Sequence, residues 1–340
     1  MPRKTTSEAR DATRDDVARL AGVSTAVVSY VVNDGPRPVA AETRAKVLEA
    51  IDKLGYRPNV AARSLITGRS DLIGLVVPDV ANPYFGALAR AVEDSASARG
   101  LRVVLVQSND EDLPDLVNSL AGHQVDGIIT ATLPPPDLFA RTSRIKVPMV
   151  KLSLALPNDS IPALWPDFYG GSMVAVSHLV EVHGHRRVAL VTGGEQLDAR
   201  GKAWRDALEG FGLRADSVVH ADWSSEGGRA AAGELLERFP DVTAVFVTSD
   251  QQAIGLLSGL HIAGRRVPDD LSLASFDGSL GAEFTVPSLT TVGVPFSDMA
   301  RDAIDELLGA PADDRMYPTS LIVRESCGCS PAGQSTATAL

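Results

Sequence analysis

The sequence predicts an α/β chain in two unequal parts: an all-α N-terminal segment, then a longer stretch of parallel sheets flanked by helices and divided into two lobes. Three observations predict it. Apolar residues recur at helical spacing three times within the first 55 residues, each run bounded by a capping residue or a glycine. From Leu72 onward, short apolar runs alternate with longer helical patterns. The charge is also divided, because residues 1–70 hold twelve Lys and Arg against eight acids, a balance of +4 within a chain of net charge −11, so the remainder carries −15.

The first predicted helix covers Arg14 to Ala21, with Thr13 as its N-cap and Val17, Leu20 and Ala21 on one face. Gly22-Val23-Ser24 breaks it, and Ser24 caps a second helix from Thr25 that carries Val27, Val28 and Val31. A third runs from about Ala41 to Leu54, with Val47, Ile51 and Leu54 at i, i+4 and i+7, and Gly55 stops it. Val60 to Leu65 could add about two turns, too short a helix to hold alone in water. Candidate strands then fall at Leu72–Val77, Arg102–Val106, Gly127–Thr130, Pro148–Leu152, Arg187–Thr192, Ala244–Val247, Leu273–Phe276 and Ser320–Val323. Helical patterns at Leu88–Arg99, Ser172–Val182, Gly227–Arg238 and Gln251–Ala263 lie between them, and some 265 residues of this alternation exceed one doubly wound unit.

No apolar run reaches the roughly 18–20 residues that cross a bilayer, and Met1 to Asp16 is polar, so no membrane association and a cytoplasmic location are expected. Cys327 and Cys329 read as incidental thiols: their spacing is poor for a disulfide, and two ligands are too few for a metal. His183-Gly184-His185 shows no third ligand either, so no metal, cofactor or catalytic residue is expected. A small basic segment on an acidic body suits a protein that meets phosphates with one part only.

Helix, glycine-containing turn and second helix is the pattern whose second helix enters a major groove, although many helical hairpins contain a glycine. The surrounding residues decide between these readings. Thr13-Arg14-Asp15-Asp16-Val17-Ala18-Arg19-Leu20-Ala21-Gly22-Val23-Ser24 and Val31-Val32-Asn33 resemble the headpiece of the lactose-repressor (LacI/GalR) family, and Leu54-Gly55-Tyr56-Arg57-Pro58-Asn59 with Ala62-Arg63-Ser64-Leu65 resemble its third helix and hinge. Ile73-Gly74-Leu75-Val76-Val77-Pro78, Asn82-Pro83-Tyr84-Phe85, Pro268-Asp269-Asp270-Leu271-Ser272 and Phe276-Asp277 resemble its sensor domain, in order and in register.

The resemblance implies a disordered arm over residues 1–12, a helix-turn-helix DNA-binding headpiece over 13–57 and a hinge helix with linker over 58–70. A dimerising, effector-binding, periplasmic-binding-protein-like domain follows over 71–326, its first lobe about 71–166 and 295–326 and its second about 167–294, before a disordered tail over 327–340. It also implies a repressor that binds a pseudo-palindromic operator as a homodimer, with DNA affinity set by a small-molecule effector of the sugar class. DNA contacts are implied for Thr13, Ser24, Thr25, Ala26, Ser29, Tyr30, Asn33, Tyr56, Asn59, Ala62, Arg63 and Leu65. Within that set Tyr30 stands where Arg is frequent, and Leu65 would wedge between base steps in the minor groove. Effector contacts are implied for Asp79, Tyr84, Phe85, Gln196, Arg200, Trp223, Ser249 and Asp277, with Asn82, Asp167 and Asp250 nearby. Ser153 where Asp is common, Phe168 where Asn is common and a short loop from Gly193 to Arg200 depart from the pattern and point to a less hydroxylated ligand or an altered pose. Rival readings are a solute-binding protein of the same two-lobed shape, a regulator that activates or needs a co-repressor, and a Rossmann-like enzyme. The headpiece counts against the first, and the lack of a G-x-G-x-x-G or P-loop counts against the last.

Overall fold

A computed structural model describes residues 12–33, 35, 37–57, 68–108, 112–132, 147–152, 161–311 and 313–330. The chain divides into two compact units between Ser70 and Asp71.

The first unit holds α1 (Arg14–Ala21), α2 (Thr25–Val32) and α3 (Ala41–Leu54). Thr13 closes the start of α1 with a capping box: its hydroxyl accepts the Asp16 N–H, and the Asp16 carboxylate accepts the Thr13 N–H at 3.0 Å. Gly22 sits at φ +68°, a left-handed cap that turns the chain into Ser24, whose hydroxyl accepts the Val27 N–H at the start of α2. The core is small, built on Val17, Ala18, Val28, Val31, Val47 and Ala50. Leu20 and Leu54, expected on the apolar faces, are 52% and 37% exposed, because α1 and α3 meet along Val17, Ala18, Val47 and Ala50. Of the hinge helix and linker expected over 58–70, residues 58–67 lie outside the described residues, and with them Asn59, Ala62, Arg63 and Leu65.

The second unit contains two six-stranded sheets. In chain order its elements are β1 (Leu72–Val77), α4 (Pro83–Ser97), β2 (Arg102–Gln107), α5 (Leu113–Gly122), β3 (Gly127–Thr130), β4 (Met149–Leu152) and β5 (Ala163–Pro166), then α6 (Phe168–Glu181), β6 (Val188–Thr192), α7 (Ala199–Gly210), β7 (Val218–His220), α8 (Ser225–Arg238), β8 (Ala244–Val247), α9 (Asp250–Ile262), β9 (Ser272–Asp277), α10 (Leu280–Glu283), β10 (Thr290–Gly293), α11 (Phe296–Leu307), β11 (Arg315–Tyr317) and β12 (Ser320–Ile322), closed by a 3-10 turn at Glu325–Cys327. The first sheet runs β11-β5-β4-β3-β1-β2, all parallel, and the second β12-β10-β9-β8-β6-β7, parallel except for the β10–β12 pair. Strands such as β1 and β9 are buried along nearly their whole length, which explains their unbroken apolar runs. Each sheet has a core on both faces: Leu88, Met299 and Ile304 on one side of the first and Leu113 and Val117 on the other, with Leu179, Trp204 and Leu208 against Leu235, Leu256 and Leu260 in the second.

Strands β5, β7, β10 and β11, three or four residues long, had no distinct periodic signal. The chain crosses between lobes at residues 167, 294–295 and 318–319. These crossings correct the expectation that 295–326 joins the first lobe as one piece. Ser320–Ile322 instead closes the open edge of β10, with Val292 opposite Leu321. The expectation of a disordered tail from 327 is corrected too, since Cys327 is fully buried and the described chain continues to Ser330.

Candidate functional site

In the headpiece, α2 carries no charged side chain, and the exposed groups at its first turn are Ser24, Thr25 and Ala26. Ser29 and Tyr30 follow half-buried one turn on, and Asn33, exposed, donates its side-chain N–H to the Ser29 hydroxyl at 3.3 Å. The Tyr30 ring lies against the Gly35 backbone so closely that a Cβ there would overlap Cδ1. That contact holds the ring at the C-terminal half of α2. Tyr56 is half-buried against the headpiece core, and Thr13 is committed to its capping box. What α2 offers a groove is therefore hydroxyls and methyls, with the N–H groups of its first turn suited to a phosphate.

In the second unit, the Arg200 guanidinium is held on all sides. Its Nε and Nη2 donate to Asp198 Oδ2 at 2.8 and 2.6 Å, and its Nη1 donates to the Thr248 carbonyl at 2.9 Å. It stands 4.6 Å from the centroid of Trp223, 5.0 Å from Phe168 and 5.8 Å from Phe276. Trp223 in turn lies flat on Gly193, where any side chain would strike the indole, and remains 39% exposed. Three of the five guanidinium N–H groups are thus occupied among the described residues, which leaves a fixed cation with donors to spare on a partly open aromatic surface.

Asp277 ends β9 beside this cluster at φ +127°, a conformation that L residues rarely adopt and that costs on the order of 1–3 kcal/mol. Its Oδ2 accepts the Asp250 N–H at 3.1 Å. Burial, then the neighbouring Asp250 charge, push its pKa well above the usual carboxylate range, while Arg200 pulls it back. Asp250 is fully engaged, accepting from the Ser275 and Thr291 hydroxyls and the Ser279 N–H, each at 2.6 Å. Burial still raises its pKa against those bonds. It therefore shapes the turn after β9 and is not free for a ligand. Ser249 is likewise absorbed as the N-cap of α9, accepting the Gln252 N–H and donating to Gln252 Oε1.

On the first lobe, Tyr84 is buried edge-on between Phe85 and Phe296, at centroid distances of 5.2 and 5.0 Å. Asp79 accepts the Ala81 N–H in a local turn, and Asn82 caps α4. Gln196 is exposed on the loop before α7, and Asp167 caps α6. The structure thus brings Arg200, Trp223 and Asp277 together and keeps Tyr84 and Phe85 as a separate aromatic group on the other lobe. Missed in the sequence were Asp198, Phe168 and Phe276 as the partners that fix Arg200; the i, i+2 spacing of Asp198 and Arg200 was the one available signal. An open depression of about 400 Å³ on the flank of the second lobe, lined by Gly194, His220 and Glu234 among others, involves none of the candidate effector residues.

One grouping was not visible in the sequence. The Nε2 atoms of His178 and His183 and the Sγ atoms of Cys327 and Cys329 lie within 4.8 Å of one another, although the sequence set the two cysteines apart as incidental thiols and gave His178 no part. Cys327 and Cys329 reach the two histidines from about 150 residues away in the chain. His185 is not among them, and its ring pairs with the Thr243 hydroxyl at 3.0 Å.

Comparison with known proteins gives two family matches: residues 13–59 match bacterial regulatory proteins of the lacI family, and residues 176–327 match a periplasmic binding protein-like domain. The ribose operon repressor of Halalkalibacterium halodurans is 36% identical over 322 residues, covering 92% of this chain and 96% of that protein. Among solved structures, the lac repressor dimer bound to operator and the anti-inducer ONPF is similar, with a TM-score of 0.82 at 28% identity, covering 94% of this chain and 99% of that one. The transcriptional regulator CelR in complex with cellobiose has a TM-score of 0.68 at 33% identity, covering 93% and 99%.

Proposed function

The chain belongs to the lacI family of bacterial regulatory proteins, and from that premise we propose that it is a repressor whose operator affinity is set by a sugar-class effector held between its lobes. The observation that carries the reading is the pairing, in one chain, of a capped helix-turn-helix whose α2 N-terminus is open with a two-lobed domain bearing the fixed Arg200, Trp223 and Asp277 cluster. An aromatic face suits the C–H side of a sugar ring, and a guanidinium with a carboxylate suits its hydroxyls. The ribose operon repressor and the CelR–cellobiose complex point to the same ligand class.

One headpiece reads half a site, so the protein acts as a homodimer on a pseudo-palindrome. Edge strand β2 leaves Val104 and Leu105 39% and 45% exposed, an apolar margin that a second copy would cover. No described helix is long and apolar enough to cross a membrane, and the proposed site of action is the cytoplasm, by binding and not by catalysis. Effector closes the lobes about the three crossings, two of which are tied together where the Asp167 N–H donates to the Tyr317 carbonyl at 2.7 Å and the Thr319 hydroxyl to the Asp167 carbonyl at 3.1 Å. A coupling of about 1–3 kcal/mol between effector and DNA is enough for regulation.

The test selects pseudo-palindromic duplexes from a random pool and measures binding at near-physiological salt. Specific duplexes should bind at least about 10³-fold more tightly than random ones; equal affinity refutes the regulator reading. A thermal-shift screen of pentoses, hexoses and disaccharides follows. Arg200→Ala should weaken any hit at least about tenfold, the scale of one lost charge-assisted hydrogen bond, and an unchanged affinity removes the effector-site assignment.

A further inference from the structure

We propose that His178, His183, Cys327 and Cys329 form a tetrahedral zinc site that fastens the C-terminal turn to the second lobe. His178 lies in the last turn of α6 and His183 just beyond it; Cys327 ends the 3-10 turn and Cys329 follows Gly328. The two imidazole Nε2 atoms are 3.2 Å apart, and Cys329 Sγ is 3.4 Å from His183 Nε2 and 3.7 Å from His178 Nε2. Zinc bonds of about 2.0–2.1 Å to nitrogen and 2.3 Å to sulfur at tetrahedral angles set edges of about 3.3 Å between nitrogens and about 3.6 Å between nitrogen and sulfur. The three measured edges match that figure, and Cys327 Sγ supplies the fourth corner within the same 4.8 Å group.

The surroundings prepare these ligands. Ser326, beside Cys327, donates its hydroxyl to the Leu273 carbonyl at 2.7 Å and accepts the Thr290 N–H at 2.8 Å, so the turn is held in place before any ion arrives. The Thr290 hydroxyl donates to Cys327 Sγ at 3.1 Å, the kind of outer contact that stabilises a thiolate on a metal. Gly328, at φ +103°, reverses the chain between the two cysteines, and a Cβ there would come within 3.4 Å of His183 Nδ1.

Two imidazoles and two thiolates in a tetrahedron select zinc over magnesium or calcium. All four corners come from the protein, which makes the site closed and structural. It also sits at the start of β9, where Ser272 lies beside Gly328, whereas Asp277 ends that strand about 17 Å away at a strand's rise of ~3.3 Å per residue. Binding displaces the two thiol protons to solvent as the ion takes two thiolates and two neutral imidazoles, with no change of oxidation state.

Full-length protein, purified reduced and without chelator, should carry about one zinc per chain. After chelation, cobalt(II) should restore one equivalent with the intense visible bands of a tetrahedral ion and thiolate charge transfer in the near ultraviolet. Cys329→Ser and His183→Gln, both at partly exposed positions, should each weaken zinc by at least about 100-fold, with the far-ultraviolet dichroism and cooperative melting retained. Zinc should raise the melting temperature of the parent chain and of neither variant. The proposal fails if the reduced parent chain takes up no zinc, if its cobalt spectrum is octahedral and lacks thiolate charge transfer, or if both variants bind zinc as the parent does. The parent-chain measurements decide the matter even if a variant does not fold.

Discussion

The two lobes of the second unit repeat one sheet order, with β1, β2, β3, β4, β5 and β11 of the first standing where β6, β7, β8, β9, β10 and β12 stand in the second. Their treatment of buried polar groups differs. In the second lobe the buried Asp250 accepts from two hydroxyls and a backbone N–H, and the turn that it organises carries Asp277 to the edge of the Arg200 cluster. In the first lobe Glu306 of α11 is buried with neither carboxylate oxygen in a well-formed hydrogen bond among the described residues, and its pKa rises to about 7 through burial, partly offset by Arg315 and by the Asp313 backbone N–H. One architecture thus supports either a satisfied ionic network that builds a site or a buried acid that titrates near neutrality.

The difference can be broken at several levels. The largest effect is expected at Trp204, fully buried in the second lobe with its indole N–H donating to the Val188 carbonyl at 3.2 Å. Trp204→Ala should cost about 3–5 kcal/mol in urea unfolding. A loss under 1 kcal/mol would show that the second lobe collapses around the cavity far more readily than its packing implies. Next, Asp250→Ala removes an acceptor from three donors and should cost about 2–3 kcal/mol. A cost below that of an exposed aspartate would mean that the network is dispensable.

The smallest effect sharpens the contrast through pH. Because the folded pKa of Glu306 is raised above its ordinary 4.5, its contribution to stability is complete below pH 4.5 and is lost as pH rises through about 7. Glu306→Gln should therefore be on the order of 1 kcal/mol more favourable relative to the parent at pH 8 than at pH 5. Identical pH dependence of the two chains in urea unfolding would contradict a burial-raised Glu306 pKa.

The long elements were legible because their periodicity is local. Val17 and Val28 mark helical faces, and the Leu72–Val77 run marks a strand buried on both sides. Leu20 and Leu54 misled for the same reason, since spacing fixes a helical face but not which part of that face meets a neighbour. Short strands such as β10 and β11 take their identity from the strand beside them.

The sequence by itself determined the helix-turn-helix, with its Thr13 and Ser24 caps and Gly22 turn, and the alternation that yields parallel sheets, because capping and hydrophobic period act within a few residues. Tertiary structure alone decided that Ser320–Ile322 joins the second sheet, that Asp198 and three aromatic rings fix Arg200, and that two histidines meet two cysteines from the far end of the chain. Those outcomes depend on edges, distances and burial among groups up to about 150 residues apart, and no local pattern carries that information.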